Sequence, residues 1–144
     1  MTDDEALLRR ARQLQRHVGP IDLHVDPIIQ QRLFGYDLRK RHRGGIRGQP
    51  LFWHSDIPRM REAGYGGACL GIHYWPWESS QAPREALRQI DYLDRVAETD
   101  ARCLRVREPA DWGRAAEGGK LALAPGIEGA HMLNGRLAWV DELA

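Results

Sequence analysis

The feature that most constrains the fold is a repeated alternation between short apolar segments and longer amphipathic ones. Short segments with the apolar content of strands occupy positions 21–26, 67–75, 103–106 and 121–124. Patterns at helical spacing lie around them, at 2–18, 55–64, 83–97, 110–117 and 137–144. Strands that alternate with helices favour βαβ units, in which the strands run parallel. The sequence therefore predicts an α/β fold with parallel strands and intervening helices.

One long stretch, from 27 to 53, has no clear period. It is predicted as a loop that is functional, disordered or holds a short element of its own. The stretch contains the basic run Arg39-Lys40-Arg41-His42-Arg43. A solvated loop is the favoured interpretation of that run, and a contact with a phosphate or a substrate carboxylate is the alternative.

The composition excludes several classes of function. The 144 residues suit one domain, and 21 basic residues against 20 acidic ones leave a formal charge of +1. Nucleic acid is therefore not an expected partner, and no apolar run approaches the roughly 18 residues of a membrane span. Cys69 and Cys103 cannot build a disulfide framework, and the acidic start differs from a signal peptide. We expect a cytoplasmic protein without a membrane segment.

The predicted first strand carries ionisable side chains on one face. Between positions 21 and 26, aliphatic residues alternate with Asp22, His24 and Asp26. Alternate residues of a strand project to the same side, so the imidazole of His24 and the carboxylate of Asp26 can bind one cation. The alternative is an exposed strand end with solvated polar residues.

Glu128 is a second candidate ligand. It lies in Gly126-Ile127-Glu128-Gly129, directly after an apolar strand, where small neighbours allow a ligand to approach the backbone. The carboxyl end of a parallel strand is also where α/β barrels place their active sites. The alternative is a turn with a solvated acid. No Gly-x-Ser-x-Gly, Walker or Gly-x-Gly-x-x-Gly pattern is present, which disfavours serine hydrolases, P-loop NTPases and simple Rossmann enzymes.

Three motifs together resemble one family. Asp22-Leu23-His24-Val25-Asp26-Pro27 resembles the first-strand motif of the membrane (renal-type) dipeptidases, peptidase family M19. The segment 56–67 resembles the helix that follows in that family. The segment 126–131, Gly-Ile-Glu-Gly-Ala-His, resembles its glutamate-containing strand end. The three motifs stand in the family's order, which makes the resemblance more specific than any one of them.

The resemblance implies a (β/α)8 TIM-type barrel with two zinc ions, of which this chain is the N-terminal portion. Positions 1–19 are then an N-terminal helix, with a capping box of Thr2 and Glu5, and 20–144 a partial barrel domain truncated at its C-terminus. The resemblance assigns His24 and Asp26 to one zinc ion, and Glu128 as the bridge that helps to hold a water between both ions. It assigns no role to His131 and a supporting role to Asp22.

The function that the resemblance implies is zinc-dependent hydrolysis of dipeptides by a metal-activated water. No residue is assigned to substrate binding, because the family's later ligands and substrate contacts fall on strands beyond this sequence. Weak zinc binding and little activity of the 144 residues alone are expected. The expected partners are a dipeptide and either a second copy of the chain or a C-terminal half. Two alternatives stay open: a non-catalytic, barrel-derived binding or assembly module that retains part of the metal site, and another amidohydrolase-like metal enzyme.

Overall fold

The computed structural model describes residues 2–43, 54–74 and 80–143. Its elements follow one another in the alternating order that the sequence predicts. They are α1 (Asp3–Val18), β1 (Ile21–Val25), α2 (Pro27–Phe34), α3 (Ile57–Ala63), β2 (Gly67–Ile72), α4 (Ala82–Thr99), β3 (Cys103–Arg105), α5 (Ala110–Glu117), β4 (Leu121–Ile127), a single 3-10 turn (Ala130–Leu133) and α6 (Ala138–Leu143).

The strands form one parallel sheet in the order β1-β2-β4-β3, so the predicted α/β class is confirmed. Strands β2 and β4 pair in unbroken register from Gly67 opposite Ala122 to Ile72 opposite Ile127. A regular (β/α)8 barrel pairs each strand with the next one along the chain. Here β3 lies at the outer edge of the sheet and β4 lies beside β2.

One face of the sheet carries the main hydrophobic core. Ala68, Leu70 and Ile72 project from β2 into it, and α4 covers them with Leu93 and Val96. The alternate residues of β2 project to the opposite face, and all of them are small: Gly67, Cys69 and Gly71. The side chains of β2 therefore take up less volume on this second face, called here the small-residue face, which leaves room for other groups.

Helix α5 lies on the small-residue face. A Cβ at Gly67 would lie 2.6 Å from a ring carbon of Trp112, which places that ring against the amino end of β2. The strand order explains this position. The connection from β3 to β4 runs back towards β2, and a right-handed crossover in that direction passes over the other face. Because α5 covers the amino end of the small-residue face, the side chains that follow β1 and β4 can occupy its carboxyl end.

Of the possibilities left open for the stretch from 27, the structure shows a short element of its own. This element is α2, which has Pro27 in its first turn and ends before Gly35, a residue in the left-handed conformation (φ 67°). The strand predicted over 67–75 ends at Ile72, and position 75 lies outside the described residues. Of the basic run, Arg39 pairs with Asp37, and Arg41 with Glu62, as expected for a surface segment.

Candidate metal centre

The sheet brings the three predicted ligands together at the carboxyl end of its strands. His24 lies near the carboxyl end of β1, Asp26 follows that strand, and Glu128 follows β4. Val25 stands opposite Leu70 and packs on the core, so His24 and Asp26 on either side of it project to the small-residue face. The backbone N–H of Glu128 donates to the carbonyl oxygen of Ile72 at 2.9 Å, which holds the glutamate beside the end of β2.

The three side chains lie within reach of one cation. The Nε2 atom of His24 is 3.3 Å from Asp26 Oδ2 and 3.9 Å from Glu128 Oε2. One ligand atom from each residue lies within 4.8 Å of the other two. Zinc binds imidazole nitrogen and carboxylate oxygen at about 2.0–2.2 Å, so atoms this close together can share one ion after small rotations of the side chains. Among the described residues, this is the one group of three or more candidate ligands.

The donor set fits a cation, and Asp26 provides the clearest sign. Asp26 precedes α2 at the capping position, yet its side chain accepts no hydrogen bond from that helix. Its Oδ1 atom is buried, has no hydrogen-bond partner among the described residues, and lies directly over Gly71 of β2. A buried and unpaired carboxylate oxygen is costly, and a bound cation would offset this cost. One imidazole and two carboxylates are also the nitrogen and oxygen donors that zinc accepts.

Asp22 and His131 stay outside the cluster. The Oδ1 atom of Asp22 accepts a hydrogen bond at 3.0 Å from the backbone N–H of His24, at the irregularity where β1 shifts its register against β2. This contact fits the supporting role expected for Asp22. The ring of His131 lies over Gly129, where a Cβ would be 2.6 Å from its Cε1 atom, and the residue is exposed.

His73 is a further residue near the cluster that was not among the predicted ligands, and it follows β2 between the two strands that carry them. Its side chain is buried, and burial lowers its pKa, an effect that the carboxylates of Glu128 and Asp26 oppose. The backbone of His73 is held from both sides by the buried side chain of Gln89. The imidazole of His73 therefore lies near enough to the cluster to interact with two of its carboxylates. The alternation of residues between the two faces of β2, continued beyond Ile72, is the sequence pattern that could have indicated His73.

A cavity of about 530 Å³ borders the cluster. Its lining includes His24, Asp26, His54, Arg59 and Tyr65. This volume lies in the range of small-molecule sites, about 300–1,000 Å³. The fold and the cluster together define an α/β protein with a candidate metal centre at the carboxyl ends of its parallel strands.

Comparison with known proteins agrees with this class. The family model for membrane dipeptidase (peptidase family M19) matches residues 8–144. The chain belongs to that family. No curated protein matches it.

Two solved structures from Pseudomonas aeruginosa share the fold. The probable dipeptidase PvdM superposes with a TM-score of 0.71 at 19% identity, over 96% of this chain and 35% of its own. An amidohydrolase superposes with a TM-score of 0.59 at 16% identity, over 92% of this chain and 33% of its own. The chain thus spans about a third of the length of the structures it matches. In the described part of the chain, no helix has the length and apolar character needed to cross a membrane.

Proposed function

We propose that this chain carries part of the active site of a zinc-dependent dipeptidase. The observation that supports the proposal is the convergence of His24, Asp26 and Glu128 at the carboxyl ends of β1 and β4, in a member of the membrane dipeptidase family. The chain is in this proposal an N-terminal helix, 1–19, followed by a partial barrel domain, 20–144. A cytoplasmic location stays a prediction.

Each ligand has a separate part in this proposal. His24 and Asp26 would hold one zinc ion in this proposal, and Glu128 would be the ligand shared with a second ion. Zinc supplies a Lewis acid for the scissile carbonyl and a bound water of lowered pKa. The imidazole must be neutral and both carboxylates ionised to bind, so zinc affinity falls as the pH is lowered.

The alternative function is a binding or assembly module that retains part of the metal site. The observation that favours it is the extent of the match, since the chain spans about a third of the solved structures. For the second ion of a two-zinc site the chain offers Glu128 alone among the assigned ligands, which is fewer than the three protein ligands of a catalytic zinc site. A module of this kind would bind zinc through the same residues and leave dipeptides unchanged.

Zinc affinity and dipeptide hydrolysis test the two functions. We expect His24→Ala and Glu128→Gln each to weaken zinc binding at least about tenfold, measured by competition with a chromogenic chelator. The matched controls are His17→Ala and Glu117→Gln, which change the same residue types in α1 and α5, and they should bind zinc like the unchanged chain. Equal zinc affinity of His24→Ala and the unchanged chain would refute the metal site.

Hydrolysis separates the enzyme from the module. The assay uses dipeptides with added zinc, for the 144 residues alone and for a version extended through further barrel strands. We expect the extended protein to hydrolyse dipeptides, and His24→Ala in it to remove that activity. Zinc binding without hydrolysis by the extended protein would favour the non-catalytic module.

A further inference from the structure

We propose that Gly71 is a positioning residue of the metal centre, which orients the carboxylate of Asp26 by having no side chain. The inference rests on the proposed function, because it assigns a role towards the metal that His24, Asp26 and Glu128 would hold. Gly71 lies in β2, the strand between β1 and β4, on the face that carries the cluster.

The close approach of two ligands to Gly71 carries this inference. A Cβ at position 71 would overlap Asp26 Oδ1 and would lie 3.5 Å from both Asp26 Cγ and His24 Cε1. Any residue other than glycine would therefore occupy the place of a ligand oxygen. With Oδ1 packed on the glycine, the other oxygen, Oδ2, faces His24 Nε2 at 3.3 Å.

Other restraints on the Asp26 carboxylate are weak. It does not cap α2, and its buried Oδ1 accepts no hydrogen bond. Carboxylates that ligate metals are usually oriented by hydrogen bonds from neighbouring groups. At Asp26 the carboxylate is instead packed against the backbone of Gly71, which limits its rotation. This packing orients the carboxylate, as hydrogen bonds do at other metal sites.

Substitution of Gly71 should disturb the metal site more than the fold. Gly71 is not among the glycines with positive φ, so alanine can adopt its backbone conformation. The atom that the new methyl group would meet is the far end of a flexible side chain, which can rotate away at little cost. The carboxylate would then leave the position from which it faces His24.

The neighbouring strand offers a matched control. Gly126 of β4 stands opposite Gly71 in the register and projects to the same face. A Cβ there would meet the carbonyl oxygen of Leu70 at 3.9 Å, which is ordinary van der Waals contact. Gly126 also has no positive φ. The two Gly→Ala changes thus differ mainly in whether a ligand lies above the new methyl group.

The first experiment compares Gly71→Ala, Gly126→Ala and the unchanged chain. Zinc affinity is measured by chelator competition, the ligand field by the absorption spectrum of bound Co²⁺, and stability by thermal unfolding. We expect Gly71→Ala to lose zinc affinity by about 10–100-fold and to change the Co²⁺ spectrum, as for loss of a group that orients a ligand. Gly126→Ala should keep both, because a Cβ at Gly126 would meet no ligand atom of the cluster within 4 Å, so the small neighbours of Glu128 leave room for this methyl group. Unchanged zinc affinity of Gly71→Ala at normal stability overturns the inference.

A double-mutant cycle with Asp26→Ala tests whether Gly71 acts through Asp26. In the Asp26→Ala background the new methyl group meets no carboxylate, so Gly71→Ala should cause no further loss of zinc affinity. If Gly71→Ala alone unfolds, Asp26→Ala should restore folding by removing the overlap. An equal further loss in both backgrounds, or no restoration, overturns the inference.

An unchanged chain that binds no zinc overturns the proposed function and this inference together, whereas zinc binding that is insensitive to Gly71→Ala overturns the inference alone.

Discussion

Asp26 and Asp56 show how backbone conformation assigns different tasks to the same residue type. Each precedes a helix with a proline in its first turn. Asp56 has the extended conformation of a helix cap (φ −147°, ψ 163°), and its carboxylate accepts a hydrogen bond from the backbone N–H of Arg59 at 2.9 Å. Asp26 has ψ 37°, outside the extended region, so its carboxylate does not reach the helix. Asp26 is therefore available to a metal, and Asp56 is committed to the fold.

Removal of the Asp56 carboxylate should destabilise the protein. Asp56 is fully buried, and besides its cap it accepts hydrogen bonds from Arg59 Nε at 2.8 Å and from the backbone N–H of His42 at 2.9 Å. Asp56→Ala removes the cap and leaves a partly buried guanidinium without its carboxylate. We expect the free energy of unfolding to fall by about 2–4 kcal/mol, measured by urea denaturation.

The control for this prediction is the exposed cap of α1. Thr2 accepts a hydrogen bond from the backbone N–H of Glu5 at 3.3 Å, but neither residue is buried. Thr2→Ala should lower the free energy of unfolding by about 0.5–1 kcal/mol. If Asp56→Ala cost no more than Thr2→Ala, the buried network would have no net value for stability.

At the scale of elements, local sequence patterns predicted most of the helices. The order of the strands in the sheet depends on pairing between strands, which local patterns do not indicate. The capping box of α1 and the helical spacing of α4 depend on nearby residues, so the sequence indicated them. Helix α2 was missed because its eight residues follow a strand directly and have little amphipathic pattern. The edge position of β3 depends on which strands pair, and a three-residue strand carries no sequence signal for its partner.

The site divides in the same way. His24 and Asp26 lie two apart on one strand, so their common face could be predicted from the sequence. The place of Glu128 beside them depends on β4 lying next to β2, and the resemblance, rather than the pattern, indicated it. Gly71 and His73 are relevant to the metal centre only because the ligands that follow β1 and β4 lie next to them. No pattern within β2 could show that an aspartate would lie over the glycine.

The contact between α4 and the end of β2 gives a prediction at this scale. Gln89 accepts a hydrogen bond from the backbone N–H of His73 at 3.2 Å and donates one to its carbonyl oxygen at 2.9 Å. All these groups are buried, so Gln89→Leu would leave two backbone groups without these hydrogen bonds. We expect a loss of about 2–4 kcal/mol in the free energy of unfolding. Arg84→Leu, on the exposed side of α4, should change it by less than about 0.5 kcal/mol. Equal stability of the two variants would contradict the prediction.

At the scale of the whole molecule, helix α1 carries a stripe of exposed apolar side chains. No residue of α1 is buried, and Leu7, Leu8, Leu14 and Val18 are each more than half exposed. Leu23 of the edge strand β1 is 77% exposed. An exposed apolar stripe favours association with another chain. The expected partner, a second copy or a C-terminal half, and the oligomeric state stay predictions.

A charge in the apolar stripe of α1 should therefore weaken self-association. Leu14 is 62% exposed, so Leu14→Lys loses little contact within the chain and should leave the unfolding temperature nearly unchanged. In a dimer that buries the stripe, the same lysine would be taken out of water without a partner charge, which costs on the order of several kcal/mol. We expect its dimer dissociation constant to rise at least about tenfold in sedimentation velocity experiments. Gln13→Lys adds the same charge at the adjacent exposed position, which lies about 100° around α1 from Leu14 and outside the apolar stripe, and should leave association unchanged. A chain that stays monomeric at millimolar concentration, or a Leu14→Lys variant that associates as strongly as Gln13→Lys, would show that the stripe is not an interface between copies.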